Sequence, residues 1–355
     1  MIQQTLLRLL LAPFSLLYGL GVSLRNFFYS QGILKSIEFN IPVISIGNLS
    51  VGGSGKSPHI EYLVRFLSEY LPVATLSRGY GRKTRGYLEV LTDMKAADTG
   101  DEPLQFKRKF PELVVTVGES RSLAIPRLLM HHPEVKAILL DDAFQHRSVK
   151  PGLNILLTTH DLPFTRDYLL PSGRLREWRS AFERADVIVV SKCPQGLSLE
   201  AANQLREEIN PLPRQQLFFS TYTYGNPYYI FNPGYTIDLR SDWSVLLICA
   251  IAGTDYLMRY LDGVALETSI LEYEDHHLFS NYDISSLKQS FDKLDAPRKI
   301  ILTTEKDAMR LEMHREFIVK HQLPVFVLPA RVSFLFDEGV TFEERVKDFL
   351  LNFRV

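Results

Sequence analysis

The chain has 355 residues, 46% of them hydrophobic and 23% charged, with a formal net charge of −1. That length exceeds what one hydrophobic core usually serves, so two domains are expected, and the near-neutral charge argues against a nucleic-acid binder. Cys193 and Cys249 sit in or beside apolar strand-like runs without metal-ligand spacing, which suits buried thiols in a reducing compartment.

Residues 1–37 contain no Asp or Glu but carry Arg8, Arg25 and Lys35. Between the arginines, Leu9–Leu24 is apolar over a helical rise of roughly 24 Å, short of the roughly 30 Å hydrocarbon core. At 100° per residue, Gln4, Arg8, Ser15, Gly19, Ser23 and Asn26 fall in one stripe and leucines and aromatics fill the rest. The pattern predicts an amphipathic helix over 1–32 lying in a membrane interface. A cleaved signal peptide and a helix packed on its own domain are the alternatives. The signal peptide lacks small residues at a cleavage site, since the run ends in Arg25-Asn-Phe-Phe-Tyr29.

Next, Ile41–Ile46 reads as a strand feeding the turn Ser50-Val-Gly-Gly-Ser-Gly-Lys-Ser57. This is the layout of a phosphate-binding P-loop. Glycines let backbone N–H groups face a polyphosphate, Lys56 supplies a cation, Ser57 can hold Mg²⁺, and the following helix adds its positive N-terminus. Ser50 replaces the glycine that the strict motif places there, so Gly52 and Gly53 are expected to do its work. Strand candidates Val73–Leu76, Val114–Val117, Ala137–Leu140, Ile155–Thr158 and Val187–Val190 follow. The helical patterns Ile60–Tyr70, Glu102–Phe110 and Arg121–His131 separate several of them, which predicts an α/β parallel sheet covered on both faces.

Within this core domain, taken as residues 33–214, polar clusters sit at strand ends, where open α/β sheets bind ligands. Asp141 and Asp142 close an apolar strand and are candidate Mg²⁺ carboxylates beside Ser57. His146 follows on the same edge. Thr99-Gly-Asp-Glu-Pro103 is an acidic helix start: Asp101 and Glu102 can simply complement the helix dipole, or a carboxylate there can take a proton from an acceptor hydroxyl. Ser77–Arg85, with Arg78, Tyr80 and Arg82, is a flexible basic loop able to grip an anionic substrate or remain solvated. Leu170–Arg179 is a second basic loop with the hinges of a lid.

Residues 215–236 are aromatic, alternating and broken by Gly225-Asn-Pro227, which reads as a two-stranded ribbon linking the domains. The β/α rhythm then restarts over 237–355 with Val245–Ala252, Lys299–Thr304 and Pro324–Leu328, and a terminal helix Thr341–Asn352 closes it. In this half, His276 and His277 stand beside carboxylates, and no Cys or His cluster completes a zinc site.

Taken together and in order, Gly47–Pro58, Leu76–Arg82, Gly100–Pro103, Asp141–Arg147, Leu169–Glu177, Asp275-His276 and Thr303–Ala308 resemble the tetraacyldisaccharide 4′-kinases of lipid A synthesis. The family's usual Thr after the P-loop lysine is Ser57 here, and its usual Gly after the paired aspartates is Ala143. The resemblance implies transfer of the γ-phosphate of ATP, with Mg²⁺, to the 4′-hydroxyl of an acylated glucosamine disaccharide 1-phosphate. It implies a P-loop core, a second smaller α/β domain, a ribbon between them, and monotopic attachment to the cytoplasmic face of the inner membrane. It implies Asp101 as general base paired with His276, with Lys56 as a further catalytic group. Ser50, Val51, Gly52, Gly53, Ser54, Gly55, Lys56, Ser57, Arg176 and Glu177 become nucleotide ligands, the last two as lid residues. Ser57, Asp141 and Asp142 become Mg²⁺ ligands, and Arg78, Tyr80, Arg82, Glu102 and His146 become substrate contacts. The expected partners are the lipid and the membrane surface, with no nucleic acid, and the protein is expected to be a monomer. A regulatory ATPase of the positioning type is one rival, but such loops carry a second lysine early, and positions 47–55 contain none. A nucleotide-gated scaffold is another, and it has no use for Asp101 and His276.

Overall fold

The computed structural model describes residues 2–354. The first sheet is built from β1 (Val43–Asn48), β2 (Val73–Ser77), β3 (Leu88–Glu89), β4 (Val114–Val117), β5 (Ala137–Asp141), β6 (Leu153–Thr159), β7 (Val187–Ser191) and β8 (Gln216–Tyr224). The second contains β9 (Tyr228–Tyr229), β10 (Asn232–Thr236), β11 (Ser244–Cys249), β12 (Glu267–Glu272), β13 (Lys299–Thr304) and β14 (Val325–Leu328), after which β15 (Ala330–Phe334) returns to the first. Their orders are β15-β8-β7-β6-β1-β5-β2-β4-β3 and β10-β9-β14-β13-β11-β12. In the first sheet only β3 and β15 run antiparallel to their neighbours. The second has four parallel strands and the β9–β10 hairpin at one edge.

The near-continuous apolar runs of β1, β5 and β7 follow from burial on both faces. Ile44, Ile46, Leu139, Ile155 and Val189 pack on one side under the helices Lys56–Ser68 and Gly339–Leu351. Val43, Ile138 and Leu140 face the other side with Ala124, Ile125 and Leu128 of the helix Arg121–His131, and Leu156, Ile188 and Val190 continue that side. A one-residue shift of any strand would exchange these sets, so the register is strongly specified.

The end of the chain departs from expectation. Gln216–Tyr224 is not half of a ribbon: it pairs parallel to β7 and antiparallel to β15 inside the first sheet. Only β9 and β10 form a hairpin, and they belong to the second sheet. The terminal helix also leaves the second half, because Phe342 and Val346 are buried in the first core. Two short connectors therefore join the halves side by side, held where Gly225 N–H donates to the Pro329 carbonyl at 3.0 Å.

The N-terminal helix spans Ile2–Ser30. From Arg8 onward it is long and apolar enough to cross a membrane, by length and composition alone. Its polar stripe is used internally. Ser15 Oγ donates to the Leu169 carbonyl at 3.1 Å, Tyr18 to the Arg176 carbonyl at 2.9 Å, Arg25 reaches Glu177 at 3.2 Å, and Trp178 Nε1 donates to Ser23 Oγ at 2.9 Å. Leu9, Leu10, Phe14, Leu16, Leu17, Leu20, Leu24 and Phe27 are each more than half exposed. The helix is thus both packed on its own domain and apolar outward.

Candidate active site

The site lies between the C-terminal ends of the two sheets' parallel strands, the edge at which such sheets bind ligands. β1 delivers the P-loop. The helix beginning at Lys56 is preceded by Gly55 at φ 84°, a left-handed geometry that a side chain resists, and a Cβ there would stand 2.2 Å from the Tyr222 hydroxyl. Gly52, at φ 103°, makes the other sharp bend. Ser50 to Ser57 line a cavity of about 440 Å³ together with Tyr80, Glu102, Asp142, Arg176, Lys192 and His276. A glycine cradle at a helix N-terminus fits a polyphosphate.

At the end of β5 the two aspartates differ sharply. Asp141 is buried, and burial, with Glu102 and Asp142 adding like charge, pushes its carboxyl up to about 8. Its Oδ1 has no hydrogen-bond partner among the described residues. Asp142 has φ 45° and faces Lys56 at 3.8 Å and Arg176 at 2.7 Å. Burial works against its charge, but those cations more than offset it and hold the carboxyl well below the usual range. An orphaned carboxyl oxygen followed by a second carboxylate, with Ser57 in the adjoining loop, is a hard oxygen donor set. It fits Mg²⁺, which keeps most of its waters and needs few protein ligands.

Across the cleft, His276 has φ 64° and brings Nδ1 to 3.1 Å from Asp101 Oδ2. Its Nε2 lies 3.1 Å from Lys306 Nζ, so the lysine donates to Nε2 and the imidazole N–H at Nδ1 donates to Asp101. The Tyr80 ring packs against the imidazole with centroids 4.7 Å apart. Burial alone would raise the Asp101 carboxyl. The His276 hydrogen bond, with Lys306 and Arg310, instead lowers it to about 2. Lys306 also pairs with Glu102 at 3.2 Å and Asp275 at 3.4 Å, and its ammonium is held charged by them despite burial. Lys109–Glu305 at 2.5 Å and Arg108–Glu312 tie the same helix pair across the cleft.

Other expected site residues are placed differently. Glu177 is buried on the opposite side of its loop, paired with Arg25 and with Arg184 at 2.8 Å, and does not line the cavity. Of the expected lid pair, Arg176 reaches the P-loop cavity while Glu177 is placed against Arg25 of the N-terminal helix. Arg82 is engaged on its own loop, donating to Glu119 at 2.6 Å and to the Gly86 carbonyl at 2.5 Å. Arg78 is exposed and does not line the cavity. His146 is partly buried, and burial with neighbouring Arg121 lowers it to about 4, leaving it neutral at physiological pH. Sequence reasoning assigned no role to Lys306 or Arg310. The run Thr303–Ala308 pointed to the first; a lone arginine in an amphipathic helix gave no signal for the second.

A model of the tetraacyldisaccharide-1-P 4′-kinase family matches residues 7–350. The chain belongs to this family. A tetraacyldisaccharide 4′-kinase of Bacteroides fragilis is 42% identical over 343 residues, covering 95% of this chain and 91% of that one. That of Flavobacterium psychrophilum is 44% identical over 307 residues, covering 86% and 88%. Among solved structures, LpxK from Aquifex aeolicus in complex with ATP superposes with a TM-score of 0.70 at 27% identity, covering 97% of this chain and 99% of that one. The two-sheet architecture around a P-loop is thus that of the tetraacyldisaccharide 4′-kinases, and the chain is an ATP-dependent kinase of lipid A biosynthesis.

Proposed function

We propose that this kinase phosphorylates the 4′-hydroxyl of tetraacyldisaccharide 1-phosphate with the His276–Asp101 pair as its proton acceptor. The P-loop holds the ATP phosphates, with Lys56 and Arg176 as cations at the transferring end. Ser57, Asp141 and Asp142 are suited to hold Mg²⁺, which neutralises phosphate charge when bound. The hydroxyl proton passes to the His276–Asp101 pair as the new O–P bond forms, and the bond from the γ-phosphorus to its bridging oxygen breaks to release ADP. The observation that carries this reading is the 3.1 Å contact between His276 and Asp101, because the two residues come from different halves of the chain and His276 lines the cavity of the phosphate cradle. A site completed only across the cleft also disfavours attack by water when the acceptor is missing. The test is transfer of labelled phosphate from ATP to purified tetraacyldisaccharide 1-phosphate. Turnover of ATP at the same rate without the lipid would instead favour a regulatory ATPase.

The outward apolar face of the N-terminal helix supports attachment to the cytoplasmic face of the inner membrane, where ATP and an acylated acceptor meet, by a single protein copy. Because the polar stripe braces Leu169–Trp178, deleting the helix would damage that loop as well as the anchor. Leu10→Gln with Leu17→Gln and Leu20→Gln changes only exposed positions. This triple variant is expected to bind anionic vesicles at least about tenfold more weakly, since each leucine contributes on the order of 1 kcal/mol or more of apolar burial. Co-sedimentation measures it, with an unchanged melting temperature reporting an intact fold. Equal partitioning of variant and wild type would place attachment elsewhere.

A further inference from the structure

β7 ends at Ser191, whose hydroxyl donates to the Ser54 carbonyl at 2.7 Å and to the Thr158 carbonyl at 3.2 Å, so this strand end is tied to the P-loop. The next residue, Lys192, takes φ 58°, a left-handed conformation uncommon outside glycine and found at functional turns. It brings the ammonium to the glycine turn: a Cβ at Gly53 would stand 3.6 Å from Lys192 Nζ. On its other side the ammonium lies 4.2 Å from the centroid of the Tyr256 ring, which comes from the second domain.

Among the described residues this cation forms no salt bridge. Asp161 and Asp275, the carboxylates whose charge favours its protonation, are engaged elsewhere, Asp161 with Arg259 and His160 and Asp275 with Lys306. Burial lowers the Lys192 ammonium to about 8, and Lys56 and Arg174 add like charge. Lys192 also lines both the main cavity and a second one of about 310 Å³ on the far side of the P-loop, bounded by Thr158, Asp161 and Arg174. A partly buried ammonium held only by an aromatic face, at the edge of a polyphosphate cradle, is incomplete without an anion.

We infer that Lys192 is a second phosphate-binding cation of the nucleotide site, gripping the polyphosphate chain of ATP from the Gly53 side of the loop. This rests on the reading of the P-loop as the ATP site. Lys56, at the helix start, serves the transferring phosphate. Lys192, just past the end of β7 and against Tyr256, holds the part of the chain that stays behind as ADP, and so governs affinity more than chemistry. Pro194 follows closely and Ser191 precedes, so the position is fixed by backbone rather than by a flexible loop.

Calorimetry on the full chain in detergent, with ATP, ADP and inorganic tripolyphosphate as probes, tests the assignment. Lys192→Met is expected to weaken all three by roughly 10–100-fold, the loss of one charge-assisted contact, while kcat at saturating ATP stays within about threefold. Lys192→Arg is expected to keep most of the affinity. Wild-type affinity is expected to fall as pH rises through about 8, because phosphate binds the ammonium form, and the arginine variant is expected to show no such fall. Tripolyphosphate affinity within twofold of wild type in Lys192→Met, or the same alkaline fall in Lys192→Arg, would overturn the inference and leave a purely structural contact with Tyr256. The arginine arm decides the question even if the methionine variant fails to fold. A fully active Lys56→Ala would instead break the underlying P-loop reading, so the two failures are distinguishable.

Discussion

Lys56→Ala is expected to lower phosphate transfer by roughly 10²–10³-fold or more, the usual consequence of removing one preorganised donor to developing charge. The ammonium stands at the N-terminus of the first core helix, 3.8 Å from Asp142, with its side chain 14% exposed. It reaches the cavity from a rigid element, so its position costs no reorganisation during the reaction. The loss should be chemical rather than structural. Asp142 keeps Arg176 at 2.7 Å when Lys56 is removed, so no buried carboxylate is left unpaired, and the melting temperature should move little. Lys56→Arg is expected to recover only a small part of the rate, because a planar fork does not reproduce a compact ammonium inside a glycine turn. Single-turnover measurement with bound ATP separates the chemical step from nucleotide affinity. A Lys56→Ala enzyme retaining a third of wild-type activity would remove the lysine from catalysis.

The first half of this site was legible because it is local. A β-branched run, a glycine turn and Gly55-Lys56-Ser57 occupy some fifteen consecutive residues, and strand-end carboxylates follow from the same parallel topology. What sequence could not supply were partners far along the chain. β8 alternates and is aromatic, which suits a ribbon as well as a sheet strand; its neighbours β7 and β15, the latter about 110 residues on, decide for the sheet. The terminal helix is amphipathic on either domain, and Phe342 settles it by packing on Phe218 and Phe334.

Arg176 and Glu177 show the same limit at finer scale. Both belong to one matching stretch, but successive residues of an extended segment face opposite ways. Leu175 bridges to Ser50, which sets Arg176 over the P-loop and turns Glu177 toward Arg25. The polar stripe of the N-terminal helix was likewise visible as a pattern before it had a partner. The hydrogen bonds of Ser15 to Leu169 and Ser172, and of Trp178 to Ser23, show that the stripe braces the Leu169–Trp178 loop, while the apolar remainder faces outward. An outward apolar face and internal packing, posed as alternatives by the sequence, are the two faces of one helix.

Asp101→Asn is expected to reduce kcat by roughly 10²–10⁴-fold, the span of a lost general base, with ATP affinity little changed because the P-loop is untouched. Alone, Asp101 is a poor base at neutral pH. Burial favours its neutral form, yet the His276 hydrogen bond with Lys306 and Arg310 holds it near 2. The carboxylate therefore stays ionised and gains its usefulness through the imidazole, whose Nδ1 it meets at 3.1 Å. Two groups that handle one proton together fail as a unit. His276→Ala should consequently be comparably harmful, and the double variant hardly worse than the worse single. Lys306 sharpens the expectation. By donating to Nε2 at 3.1 Å it fixes the tautomer that keeps the Nδ1 proton aimed at Asp101. Lys306→Met should then lower kcat as well, and its loss should shrink when measured in the His276→Ala background. Measuring the singles and doubles at saturating ATP and lipid decides the matter. Fully multiplicative losses for Asp101 and His276 would mean two independent contributions, and the proton acceptor would have to be sought elsewhere in the cleft.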